Sequence, residues 1–147
     1  MINDLLIVCI GNICRSPMGE ALFRSKFINT SSKIKVHSAG LRAMSGFLAD
    51  PLAVEIMKSV NIDISGHIAR QLTEDLVFGA DLILVMTSEQ KTQLEIEFPS
   101  SRGRVHRLGK WESIDIIDPY KRPLAIFEQS FSSLVQSVDD WYEKLWN

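Results

Sequence analysis

The chain has 147 residues, 46% of them hydrophobic and 23% charged, and its 16 Lys+Arg against 18 Asp+Glu leave a net charge of −2. Those figures suit one globular domain with a sizeable core, and near-neutrality excludes a broad electrostatic surface for nucleic acid or anionic membrane. Two cysteines exclude a disulfide scaffold and a four-cysteine zinc site within one chain.

Leu5–Ile10 is the longest apolar run. It falls far short of the roughly 20 residues that a membrane span needs. Asn3 and Asp4 precede it where a signal peptide would carry Lys or Arg, so a cytoplasmic protein is expected. The run is rich in Ile and Val and suits a strand buried on both faces. Gly11 and Asn12 break it. Ser16-Pro17 then predicts an N-cap and a proline at the first helical position. That helix would turn Met18, Ala21, Leu22 and Phe27 to the core. Lys33–His37 is expected as a short second strand. Asp50-Pro51 repeats the cap-plus-proline signal and opens a helix with Leu52, Ile56, Met57 and Val60 on one side. Asp81–Met86 predicts another buried strand. The spacing of Thr87 to Gln90 is that of a capping box, and its helix should stop before Pro99. Arg104–Leu108 is a weak fourth strand. Leu124, Phe127, Phe131, Leu134, Val138, Trp141 and Leu145 step by three or four residues, which predicts an amphipathic helix of about six turns.

Strands alternating with helices imply an α/β fold: a three-layer sandwich with a central four-stranded parallel sheet flanked by helices. One domain is expected over residues 1–147. Ligands of such sheets bind beyond the carboxyl ends of the strands, which directs attention to the loop after the first strand.

That loop reads Cys9-Ile10-Gly11-Asn12-Ile13-Cys14-Arg15-Ser16-Pro17. Glycine and asparagine tolerate left-handed backbone, so the loop can curl with several N–H groups pointing inward. Such a nest, backed by a helix dipole, binds a tetrahedral anion, and Arg15 can grip two of its oxygens with a planar fork. Cys9 sits at the base of the cradle. Helix N-termini and nearby arginines favour thiolate, so Cys9 is expected to be a nucleophile aimed at phosphorus, with Ser16 donating a hydrogen bond to its sulfur. The bland alternative is a structural cysteine beside a surface arginine, which would not require Gly-Asn next to it. A zinc site of Cys9, Cys14 and a histidine is a second alternative, but the adjacent Arg15 suits an anion better than a cation.

The run from Val8 to Pro17 resembles the signature of low-molecular-weight protein tyrosine phosphatases. The resemblance extends along the chain through Ser38-Ala39-Gly40, Gly66-His67 with Ala69-Arg70-Gln71, Asp81-Leu82-Ile83 and Asp118-Pro119-Tyr120, in that family's order and spacing. Gly109-Lys110-Trp111 is similar to the bacterial branch associated with capsule and exopolysaccharide export. The resemblance implies that Cys9 forms a phosphocysteine intermediate, that Arg15 and the loop amides hold the phosphoryl oxygens, and that Asp118 is the general acid. It implies a loop-shaping Asn12 supported by His67 and Ser38, and a substrate pocket walled by Ile13, Leu41 and Tyr120. No cofactor and no metal are implied. From residue chemistry alone Asp118-Pro119 would be a turn signal, and Asp115 stays open as an alternative carboxylate.

Cys14 either packs in the loop or captures oxidised Cys9 as a disulfide, protecting it from irreversible oxidation. Relatives that reduce arsenate need further cysteines, which this chain lacks. Relatives that act on phosphoarginine carry threonine where Ile13 stands, so phosphotyrosine is the expected substrate. A non-hydrolytic phosphocysteine carrier is the alternative of another class, but it would need no acid. The resemblance implies a phosphotyrosine protein as partner, an autophosphorylating bacterial tyrosine kinase of polysaccharide export. Arg42, Lys121 and Arg122 are candidate contacts for its tail. No nucleic acid or membrane insertion is expected, and the protein should be a monomer or weak oligomer.

Overall fold

The computed structural model describes residues 1–147. Four strands form one parallel sheet: β1 (Asp4–Cys9), β2 (Lys35–Gly40), β3 (Leu82–Val85) and β4 (Val105–Arg107), in the order β2-β1-β3-β4. The helices are α1 (Arg15–Phe27), α2 (Pro51–Ser59), α3 (Glu74–Gly79), α4 (Ser88–Glu97) and α5 (Leu124–Leu145). No helix is long and apolar enough to cross a membrane.

Alternation along the central strands divides the core in two. Leu5 and Ile7 of β1, with Leu82 and Leu84 of β3, pack against α1, α2 and α5 through Met18, Phe23, Met57, Phe127 and Leu134. Leu6, Val8, Ile83 and Val85 point the other way, toward Val77 of α3 and Leu94 of α4. This is the expected three-layer arrangement, and it follows from strands buried on both faces. The sheet grows outward from β1 in both directions, so a crevice opens beyond the carboxyl end of β1.

Several boundaries differ from the sequence reading. The second strand lies two residues later and continues to Gly40, because Ser38, Ala39 and Gly40 pair with Ile7, Val8 and Cys9. The polar Ser38 masked a fully buried segment. Ser16 is not the N-cap of α1. Cys14 occupies that position without a side-chain cap, the helix begins at Arg15, and Ser16 is turned inward. Asp50 does cap α2, its Oδ1 accepting from Leu52 N at 2.9 Å. At α4 half of the capping box forms. Thr87 Oγ1 accepts from Gln90 N at 3.1 Å, but Gln90 Oε1 accepts from Met86 N rather than reaching the Thr87 amide. α3 escaped the periodicity because it spans only 6 residues. Val60 is 43% exposed, and Leu124 and Leu145 at the ends of α5 are 40% and 44% exposed, so these three lie outside the core. Phe23 is fully buried although the simple three-and-four spacing passed over it.

Candidate active site

The loop between β1 and α1 is folded so that its carbonyls face out. The carbonyls of Cys9, Ile10, Gly11 and Ile13 accept from the amides of Leu41 (2.9 Å), Arg42 (2.9 Å), Met44 (3.0 Å) and Asp50 (2.8 Å). The Asn12 carbonyl meets His67 Nε2 at 2.8 Å. A peptide plane carries its C=O and the next N–H in opposite directions. Fixing these carbonyls outward therefore aims the amides of Ile10 to Cys14 into the loop. None of those amides donates to another protein group. The result is a ring of convergent N–H dipoles at the start of a helix, the arrangement that holds a tetrahedral oxyanion.

The turn at Asn12 makes this possible. Asn12 adopts φ 59°, in the left-handed region, and is fully buried. Its amide nitrogen donates to Ser16 Oγ at 2.7 Å and to Ser38 Oγ at 3.0 Å, and its Oδ1 accepts from Arg70 N at 2.9 Å. Ser38 Oγ in turn donates to Glu20 Oε1 at 2.7 Å. Each hydroxyl thus accepts from Asn12 and keeps its own hydrogen for a second partner. For Ser16 that partner is Cys9 Sγ at 2.8 Å. Gly40 is required beside the loop: a Cβ there would lie 2.4 Å from the Ile10 carbonyl.

Cys9 is 3% exposed at the base of a cavity of about 220 Å³. Ile13, Arg15, Arg42, Met44, Asp118 and Tyr120 line its walls. Arg15 is 4% exposed and held by a bond from Nη1 to the Ile116 carbonyl at 2.9 Å. Its Nη2 lies 3.7 Å from Asp118 Oδ2. The Asp118 side chain is 56% exposed at the mouth, and its Oδ1 accepts from Tyr120 N at 3.1 Å. Asp115 stands apart from the Cys9 cavity. Its Oδ1 accepts from Ser88 N and from Arg107 Nη1, both at 3.1 Å. The Asp118 carboxyl and the Cys9 thiol thus share one cavity with the Arg15 guanidinium.

Leu41 does not line this cavity. It is 1% exposed and packs with Val8, Ala39 and Leu72, because its amide is tied to the Cys9 carbonyl and its side chain falls on the inner face. Arg42 and Met44 form that wall instead. Arg42 is also paired with Glu97 at 3.0 Å, and its hydrogen bond, with a second from Gln93, holds the Glu97 carboxyl below the usual carboxylate range. Lys121 stacks 5.4 Å over the Tyr120 ring, while Arg122 is exposed. Cys14 is buried, and burial first, then the charge of Asp50, pushes its thiol far up. In the resting loop it is therefore protonated and does not compete with Cys9 for a bound phosphoryl group. Glu20 and the main-chain role of Arg70 escaped the sequence reading. Both act across long sequence separations, and neither has a local signature.

A family model described as low molecular weight phosphotyrosine protein phosphatase matches residues 4–147. The chain is 48% identical over 145 residues to the probable low molecular weight protein-tyrosine-phosphatase EpsP of Ralstonia nicotianae, covering 99% of this chain and 97% of that one. The crystal structure of the Erwinia amylovora tyrosine phosphatase AmsI superposes with a TM-score of 0.94 at 37% identity, over 100% of this chain and 95% of that one. The YwlE arginine phosphatase from Geobacillus stearothermophilus superposes with a TM-score of 0.88 at 32% identity, over 97% of this chain and 92% of that one.

Proposed function

The chain belongs to the low molecular weight phosphotyrosine protein phosphatase family, and from that premise we propose a mechanism in which Cys9, Arg15 and Asp118 carry the hydrolysis. Cys9 Sγ, as thiolate, attacks phosphorus at the base of the amide ring. The amides of Ile10 to Cys14 and the Arg15 fork hold the three equatorial oxygens, where charge spreads in a loose transition state. Asp118, at the mouth opposite the sulfur, gives its proton to the departing phenolate oxygen. A water then attacks the phosphocysteine, Asp118 takes that water's proton, and inorganic phosphate leaves with the thiolate restored. No cofactor or metal is assigned to any step. The observation that carries this reading is the outward fixing of the loop carbonyls above Cys9, which aims the amides at one point.

Ile13 and Met44 give the cavity an apolar wall suited to a phenyl ring rather than a guanidinium. The substrate is therefore a phosphotyrosine protein, and the resemblance to the exopolysaccharide branch favours the tail of a bacterial tyrosine kinase that controls polysaccharide export. The relatives named EpsP and AmsI are consistent with that setting. Such a tail is cytoplasmic, and a monomer or weak oligomer suffices to reach it. A parallel assay of phosphotyrosine, phosphoserine and phosphoarginine peptides tests the proposal. Fast turnover of the phosphotyrosine peptide alone is expected. Preference for phosphoarginine would overturn it.

A further inference from the structure

The phosphate loop is braced from a side that the catalytic steps do not use. Arg70 donates its backbone N–H to Asn12 Oδ1 at 2.9 Å, which leaves the Asn12 amide nitrogen facing Ser16 and Ser38. Arg70 is itself fixed three times over. Its carbonyl accepts from Gly40 N at 3.0 Å, its Nε donates to the Ser38 carbonyl at 2.9 Å, and its Nη2 donates to His37 Nδ1 at 2.6 Å. On the far side of the ring His37 Nε2 meets Asp4 Oδ1 at 2.5 Å. His37 is only 7% exposed.

A guanidinium has donors and no acceptor. The Arg70–His37 bond therefore exists only while Nδ1 carries a lone pair. The neutral ring then keeps its one hydrogen on Nε2, where Asp4 accepts it. From this juxtaposition we infer that Arg70 is a positioning residue for the phosphate loop, and that His37 is its proton-sensitive anchor. The path Asp4–His37–Arg70–Asn12 holds the loop in its anion-binding shape while His37 is neutral, and protonation of His37 loosens it.

The groups around the ring set the direction. Burial opposes the charged form most, and the cations Lys35 on β2 and Arg70 oppose it too. Asp4 on β1 favours it. From α1, Arg24 donates to the neighbouring Val36 carbonyl and pairs with Glu20 at 3.1 Å, which offsets its charge. The balance holds His37 below the ordinary histidine value, so the clamp is closed at neutral pH. Acid puts an N–H on Nδ1 against the guanidinium, two donors of like charge. By linkage, an anion bound in the loop must resist that protonation in turn.

This inference rests on the loop's reading as an oxyanion cradle, and a probe other than turnover keeps the two separable. Sulfate serves, because its charge is constant from about pH 8 to about pH 5, the range in which histidines change charge. Its dissociation constant is measured from loop amide shifts by NMR, with the His37 ring followed in the same titration. In the unmodified protein sulfate should bind more weakly as pH falls, and adding sulfate near the His37 midpoint should drive the ring toward its neutral form. His37→Asn offers Arg70 an uncharged oxygen at every pH and should lose the His37 share of the pH dependence. Arg70→Met keeps the side-chain stem but no donor, and should bind about tenfold more weakly at the high end of the range. Arg70→Met binding sulfate as tightly as the parent, or His37→Asn keeping the parent's full pH dependence, would overturn the inference. So would a His37 ring that sulfate does not move. Failure of the phosphotyrosine assay with these sulfate results intact would refute only the substrate reading.

Discussion

Ser16 Oγ lies 2.8 Å from Cys9 Sγ while accepting from Asn12 Nδ2 at 2.7 Å, so its own hydrogen is directed at the sulfur. A hydrogen bond to a charged group contributes about 1.5–3 kcal/mol, and each 1.4 kcal/mol is about tenfold in rate. Ser16→Ala should lower kcat by about 10- to 100-fold, and steady-state kinetics on an aryl phosphate measures it. A loss below threefold would remove Ser16 from the thiolate's support.

Cys9→Ser replaces the proposed nucleophile and leaves the amide ring in place. Turnover should vanish, while binding of phosphate or a phosphotyrosine peptide persists in a calorimetric titration. Residual turnover near the parent rate would end the covalent mechanism.

Asp118→Asn removes the proton that a poor leaving group needs. The rate should fall by about 10²–10⁴-fold for phosphotyrosine, the usual scale of general acid catalysis, and far less for an aryl phosphate whose phenol is strongly acidic. A Brønsted plot across leaving groups tests this. Equal losses across the series would reassign the acid, with Asp115 the next carboxylate to try, although its Oδ1 is engaged by Arg107 and Ser88.

Under the proposed mechanism, peroxide should convert Cys9 to its sulfenic acid. Cys14 can then condense with it, forming an S–S bond with loss of water, and a reductant restores both thiols. Cys14→Ser should recover much less activity than the parent after peroxide followed by reductant. Full recovery of the variant would show that Cys14 only packs.

Acid should destabilise the fold partly through His37. Burial depresses its folded-state value, so its contribution to stability is complete above the ordinary histidine value near pH 6.5. That contribution is lost as pH falls through the depressed value, because the unfolded chain then binds a proton that the folded ring resists. His37→Asn should therefore lose less Tm than the parent between about pH 7 and about pH 5. Parallel Tm curves for the two proteins would remove His37 from the acid response.

Much of the fold was legible locally. The buried run at Leu5–Ile10, the Asp50-Pro51 signal and the stride of α5 each report a property of neighbouring residues: hydrophobic period, capping chemistry, a fixed proline φ. The failures share a cause. Ser16 has the chemistry of an N-cap, but it lies two positions past the cap at Cys14, where Cys9 Sγ and Asn12 engage its hydroxyl. Leu41 holds a rim position by family spacing, but its amide is tied to Cys9 and its side chain joins the second core cluster. Glu20 and Arg70 carry no local signal, since their partners lie 18 and 58 residues away in the chain.

The sequence by itself determined which atoms are available: one cysteine at the end of a buried strand, a glycine and an asparagine able to curl, an arginine at a helix start and an aspartate beside a proline. Residue chemistry is local, and local patterns report it. Tertiary structure alone decided where those atoms point. The amides of Ile10 to Cys14 converge because Leu41, Arg42, Met44, Asp50 and His67, all distant in the chain, pull the opposing carbonyls outward. Direction is a property of a peptide plane held from both sides, and here the holding partners come from parts of the chain that only folding brings together.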